Sequence, residues 1–206
     1  RSTPSARKNN TKFCLNRSFG IIRPLIIPKS FRGYMIKLIE YSKDDFNYLA
    51  LIFQNPDVMR YTLDDCYSQD ELINYFKKIL DNNESKNRKQ YEYKVITKDE
   101  FIGFADFEIT RPMHSGGIAE IGYLILPEYW GKGYGTLIAK ELINVCFNRL
   151  NLHKVTASCN IDNIGSWKIM EKVGMKKEGT FEAQRFKNGK FVNELKYGLV
   201  NEAFLI

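Results

Sequence analysis

Histidine is nearly missing from this chain: His114 and His153 are the only two among 206 residues. The four cysteines, Cys14, Cys66, Cys146 and Cys159, show no paired spacing. Neither a zinc site nor a disulfide framework is therefore expected, and reduced thiols in a cytoplasmic setting fit the pattern. Long apolar runs are missing too; none approaches the roughly 18 residues a membrane helix needs, so no membrane partner is expected. Acid is absent from residues 1–34, which carry Arg1, Arg7, Lys8, Lys12, Arg17, Arg23, Lys29 and Arg32. Those eight explain the formal charge of +7, because the remaining 23 Lys and Arg face all 24 Asp and Glu. A body near neutrality has no basic face for specific nucleic-acid binding.

The acid-poor segment 1–34 reads as a basic N-terminal extension, either cloning-derived or read-through sequence ahead of Met35 or a transit-like stretch. Residues 35–206 read as a single domain, long enough to bury its own core. IKLIEY is a short strand. Ser42 with Asp45 gives a helix start for DDFNYLALIFQ, which Asn55-Pro56 stops. Ser68 with Glu71 is a capping box before ELINYFKKIL, where Leu72, Tyr75, Phe76 and Ile79 form one stripe. YEYKVIT, FIGFADFEIT and IAEIGYLIL read as a three-stranded antiparallel meander. Tyr134, Leu137, Ile138, Leu142 and Val145 then recur at helical spacing. KVTASCN is a strand, SWKIMEKV a helix closed by Gly174, and the chain ends in two strands joined by Asn188-Gly189. The expected class is a mixed α/β fold with about seven strands and about four helices.

Between the meander and the next helix lies WGKGYGT, Trp130 to Thr136. Bare amides at a helix start suit phosphate, since the N-terminus carries about half a positive charge. The ATP-binding pattern GxxxxGK followed by Ser or Thr is not met, because Lys132 stands between glycines and precedes Gly133. The dinucleotide pattern GxGxxG fails as well, with Thr136 at its third glycine and an antiparallel strand before it. A GxGxG loop after an antiparallel strand resembles the GNAT acyl-CoA N-acetyltransferases, whose loop is written Q/R-x-x-G-x-G/A. The chain looks most like their RimJ/RimL branch: NPDVMRYT, AEIGY, YWGKGY, NIDNIGSWKIMEKVGMKKEG and NELKYGL occur in the expected order from Met35 to about Val200.

The resemblance implies a GNAT fold, a mostly antiparallel sheet splayed between its fourth and fifth strands. It implies acetyl-CoA as co-substrate, with no metal. The pyrophosphate would rest on Gly131, Lys132, Gly133, Tyr134, Gly135 and Thr136, and the pantetheine arm on Tyr123, Leu124, Ile125 and Leu126, with an amide near Leu124 polarising the thioester carbonyl. Trp130 holds the family's usual Gln/Arg place, where packing at the start of the helix is its expected role. Direct attack by the amine needs no enzyme nucleophile, so Cys159 reads as a small strand residue. Glu120 is the candidate base or water positioner, against a plain ion-paired strand carboxylate. Met170 stands where many relatives carry a catalytic Tyr. The branch instead offers Asn163 to bond pantetheine and Ser166 to protonate the thiolate, with helix capping the competing role for Ser166.

Asp64 and Asp65, in the loop before the capping box, are candidates to attract a cationic acceptor, with Glu182 after them. The expected partner is an amine, first a protein or peptide N-terminus. The competing acceptors are a polyamine, aminoglycoside or amino acid, and a non-catalytic acyl-CoA sensor is the reading from another class. A homodimer is left open.

Overall fold

The computed structural model describes residues 35–62, 64–114 and 116–205; the basic extension 1–34, with Cys14, lies outside them. The chain runs β1 (Lys37–Glu40), α1 (Phe46–Phe53), α2 (Pro56–Met59), α3 (Gln69–Asn83), β2 (Gln90–Thr97), β3 (Glu100–Pro112), β4 (Gly117–Ile125), α4 (Tyr134–Asn144), β5 (Lys154–Asn160), α5 (Ile164–Lys172), β6 (Lys176–Lys187) and β7 (Lys190–Val200). One seven-stranded sheet has the order β1-β2-β3-β4-β5-β7-β6. Every neighbouring pair is antiparallel except β4 with β5.

Local chemistry sets most boundaries. Ser68 and Glu71 close the reciprocal capping box that starts α3. Asn188 and Gly189 both take positive φ, 50° and 77°, and turn β6 into β7 as a tight hairpin. Lys98 and Asp99 do the same for β2 and β3, at φ 46° and 68°, without any glycine.

Five helices form where about four were expected. The extra one is α2: Asn55-Pro56 ends the first helix and also begins a new turn, since the Asn55 side chain accepts from the amides of Asp57 and Val58. Ser42 does not cap α1. Its amide and hydroxyl donate to Asp45 instead, and the helix begins one residue after Asp45.

Two cores lie on opposite faces of the sheet, because successive strand residues point to opposite sides. On β3, Ala105 and Phe107 join Leu137, Ile138 and Leu142 of α4 and Met170 of α5. Phe104 joins Leu49 and Ile52 of α1 and Leu72 and Ile79 of α3. Each large side chain so buried contributes about 1.5–3 kcal/mol. Both layers clamp β4, where the sheet opens. No described helix is long and apolar enough to cross a membrane.

Candidate active site

The loop that starts α4 answers for its three glycines in two ways. Gly131 and Gly133 have φ of 70° and 86°, the left-handed region that a side chain resists. Gly133 is the residue before the first turn of α4, and no side chain caps the amides there. Gly135 serves packing: a Cβ on it would sit 2.4 Å from Ile169 Cδ1 of α5. The turn opens on a cleft of about 600 Å3 lined by Gly131, Gly133, Tyr134, Gly135 and Thr136 from this loop, with Tyr123, Leu124 and Ile125 of β4 and Asn163 and Ser166 of α5. Asp57 and Tyr61, from the stretch after α1, complete a wall that carried no site assignment from sequence.

Two expected contacts fall elsewhere. Leu126 is buried against the α1 and α3 layer, and its amide donates to Ile102 O at 3.0 Å. The Lys132 ammonium lies 5.5 Å from the centre of the Tyr129 ring, outside the cleft lining. Trp130 is not packed at the helix start but 49% exposed, and its indole Nε1 donates to Ile125 O at 2.7 Å.

Strands β4 and β5 pair only at Ile118, Ala119 and Glu120, opposite Lys154, Val155 and Thr156, and part beyond. The Leu126 bond to β3 fixes which peptide groups turn to the gap: even-numbered residues of β4 bond β3, so Tyr123 and Ile125 face the opening. The amide of Leu124 belongs to the ladder with β3, which shifts the expected polarising donor to its neighbours. Across the gap Asn163 caps α5, its side chain accepting the Ser166 amide at 3.2 Å. Ser166 is therefore not the cap, and its hydroxyl is left beside the Cys159 thiol. The Tyr123 hydroxyl donates to Ser166 O at 3.4 Å. Burial pushes Tyr123 up to about 12, against the pull of the Ser166 contact, so it stays protonated. Burial likewise pushes Cys159 up to about 11, which makes it a poor nucleophile. Met170 is buried in the core beneath.

The other face of the sheet carries carboxylates. Glu120 accepts from Ser158 Oγ at 2.6 Å and from Lys196 Nζ at 2.9 Å. Burial pushes its carboxyl up, but the Ser158 and Lys196 contacts outweigh that and hold it below the usual range. Both oxygens are engaged, so Glu120 is an ion-paired, ionised strand carboxylate. Asp64 and Asp65 are tied to the end of β6: Lys187 Nζ donates to Asp64 O at 2.5 Å and Asp65 Oδ1 at 2.8 Å, and Tyr67 donates to Asp64 Oδ2 at 3.3 Å. Glu182 lies exposed on the irregular stretch of β6 between Phe181 and Arg185, outside the cleft lining.

Asp106 of β3 went unread in the sequence. It lies opposite Glu92 of β2 and Gly122 of β4. Burial, then the charges of Glu92, Glu120 and Glu108, push it up to about 7. Alternation in FADFE shows that Asp106 and Glu108 share a face with Phe104; that Gly122 lies opposite requires the register.

An uncapped, glycine-rich helix start beside a parted parallel pair of strands fits an acyl-CoA-dependent transferase. The chain belongs to the acetyltransferase (GNAT) domain family, whose sequence model matches residues 36–176, and it is an N-acetyltransferase. An uncharacterised N-acetyltransferase of Bacillus subtilis, YnaD, is 26% identical over 163 residues, 79% of this chain and 92% of the relative. Spermidine N(1)-acetyltransferase of Escherichia coli K12 is 26% identical over 173 residues, 84% of this chain and 90% of that protein. Two solved structures share the fold. Spermidine N-acetyltransferase of Vibrio cholerae, with CoA and spermine, has TM-score 0.72 at 21% identity and covers 83% of this chain and 98% of its own. RimL, a ribosomal L7/L12 α-N-protein acetyltransferase with coenzyme A, has TM-score 0.71 at 20% identity and covers 82% and 95%. Polyamine and protein-amine enzymes thus both stand among the chains it resembles, and the RimJ/RimL branch is one neighbour of several.

Proposed function

We propose that the protein transfers the acetyl group of acetyl-CoA to a primary amine of a small cationic acceptor of the polyamine class. The family's donor is acetyl-CoA, and the residues present fit it. The glycine loop from Gly131 to Thr136, with no side-chain cap at its helix start, holds the pyrophosphate, aided by the positive end of α4. The peptide groups of Tyr123 and Ile125 hold the pantetheine arm and the thioester carbonyl, with Asn163 fixing the start of α5 on the far side. The Ser166 hydroxyl gives a proton to the departing thiolate, and the Tyr123 hydroxyl holds the first turn of α5 through the Ser166 main-chain oxygen.

One observation carries the choice of acceptor. Asp106 and Glu108 lie on the face opposite α4, next to Glu120, and no Lys or Arg among the described residues forms an ion pair with either. Uncompensated carboxylates, here one half-buried and one exposed, attract ammonium groups and repel acidic peptides. An N-terminal α-amine, deprotonated more easily at a pKa near 8, is the rival acceptor. The test is free-thiol release from acetyl-CoA with spermidine, an aminoglycoside, an amino acid and neutral and acidic peptides bearing free N-termini. A kcat/KM for spermidine at least about tenfold above every peptide supports the reading. Preference for a peptide would transfer the assignment to N-terminal acetylation. Acetyl-CoA binding without turnover on any amine would leave only the sensor.

A further inference from the structure

We propose that Asp106 is the proton acceptor for the incoming amine, its carboxylate lying across Gly122 of β4 beside the gap between β4 and β5. This inference rests on the acetyl-transfer reading above and adds a catalytic residue to it.

The geometry begins with a glycine. An ideal Cβ on Gly122 would lie 2.4 Å from Asp106 Oδ1 and 3.3 Å from Cγ, so the carboxylate occupies the space that any other residue at 122 would fill. Asp106 is thereby carried from β3 over the backbone of β4. Gly122 follows the last residue of β4 that pairs with β5, Glu120, and precedes Tyr123, whose peptide group faces the opening. The Asp106 carboxylate thus lies over Gly122, on the part of β4 beyond its last pair with β5, on the α1 and α3 face of the sheet and outside the lining of the cleft at the glycine loop.

Its neighbours separate it from the other acids. Glu120 is held at both oxygens by Ser158 and Lys196. Glu92 has Arg88 at 3.8 Å and Asn82 at 3.3 Å. Glu194 is paired with Arg185. No donor among the described residues bonds the carboxylate of Asp106. The charged and titratable groups around it are Glu92 from β2, Glu108 from its own strand, Glu120 from β4, and the Tyr75 hydroxyl from α3. Lys196 and Arg88 stand behind Glu120 and Glu92. A carboxylate that exchanges its proton near neutrality is matched to removing one from an ammonium at working pH. An ammonium beside it replaces the missing cation.

The step balances as follows. The acceptor arrives as R-NH3+, and one proton passes to the Asp106 carboxylate. The nitrogen lone pair so released forms the C–N bond to the thioester carbon. The C–S bond then breaks, and the sulfur leaves with the electron pair. The thiolate takes a proton from Ser166, which regains one from the nitrogen. The proton on Asp106 returns to water.

The test compares wild type with Asp106→Asn, which keeps size and shape, by initial rates across pH with spermidine and saturating acetyl-CoA. The variant is expected to lose about 100-fold or more in kcat near neutral pH. It should also lose the acidic limb of the rate profile and keep its affinity for acetyl-CoA by calorimetry. A variant that retains that limb and a rate within about threefold of wild type overturns the assignment. Carbon-13 NMR of the aspartate carboxyls reads the same group without an acceptor: a signal with a midpoint near 7 should be present in wild type and absent from the variant. An ordinary aspartate midpoint at this position overturns the proposal. Wild type that acetylates no amine sinks the acetyl-transfer reading itself, whereas an active Asp106→Asn enzyme sinks only the role of Asp106.

Discussion

The indole Nε1 of Trp130 donates to the main-chain carbonyl of Ile125 at 2.7 Å, tying the glycine loop to the strand edge that faces the cofactor cleft. The bond runs inward to β4 and joins the two parts of the cleft, the glycine loop and the end of β4. Trp130→Phe keeps the ring and removes the donor. A hydrogen bond worth about 1 kcal/mol corresponds to about a fivefold rise in KM for acetyl-CoA, with kcat little changed. An unchanged KM would show that the bond does not organise the cleft.

Gly135 and Gly131 fail differently when given a methyl group. At Gly135 an added Cβ meets Ile169 Cδ1 at 2.4 Å, so Gly135→Ala should cost about 1–3 kcal/mol in urea unfolding, and Ile169→Ala in the same chain should recover part of it. At Gly131 nothing lies within 4 Å, but φ is 70°. Gly131→Ala should cost about 1 kcal/mol through backbone strain, with no rescue from Ile169→Ala.

Ser166→Ala should reduce kcat by only about threefold to tenfold, because a thiol of pKa near 8.5 leaves readily without help. Tyr123→Phe removes another hydroxyl of the cleft, 3.4 Å from the Ser166 main-chain O. If the two hydroxyls act together, the double variant should lose more than the product of the single losses, measured as kcat at saturating donor and acceptor. Simple multiplication of the two effects would assign them independent roles.

Lys187 links the loop before α3 to the end of β6 through Asp64 O and Asp65 Oδ1. Lys187→Met cuts both contacts in place. The acceptor KM should rise several-fold while the acetyl-CoA KM stays constant, because the cradle at α4 is made by other elements. Equal changes in both constants would indicate general loosening of the fold.

Asp106 also sets a pH dependence of stability. Its folded pKa of about 7 lies above the unfolded value near 3.9, so between those values the folded chain holds the extra proton. Its contribution to stability is fully present below the unfolded value and is lost as pH rises through the folded one. Asp106→Asn removes that loss. The variant should melt above wild type near pH 8, with the difference closing towards about pH 4. A melting difference that is constant across pH would mean that Asp106 titrates like a surface aspartate.

The elements and the cradle could be read from the chain because their causes are local. Ser68 with Glu71 starts α3, Asn188-Gly189 turns the last hairpin, and WGKGYGT exposes the amides of α4. Roles that depended on what lies opposite were read less well. Glu120 stood between a base or water positioner and an ion-paired strand carboxylate, and Ser158 and Lys196 engage both its oxygens. Ser166 looked equally like a cap until Asn163 took that place. Asp64 and Asp65 read as candidates to attract a cationic acceptor, and Lys187 reaches Asp64 O and Asp65 Oδ1 from more than a hundred residues away.

By itself the sequence determined the order of the elements, the family and the glycine-rich start of α4, since periodicity, caps and glycine spacing act within a few residues of one another. Only the tertiary structure decided that Glu120 is ion-paired and Asp106 is not. The charge state of an acid depends on burial and on partners brought in by other strands. Here a missing side chain on β4, at Gly122, gives a β3 acid, Asp106, its position over the part of β4 beyond its last pair with β5.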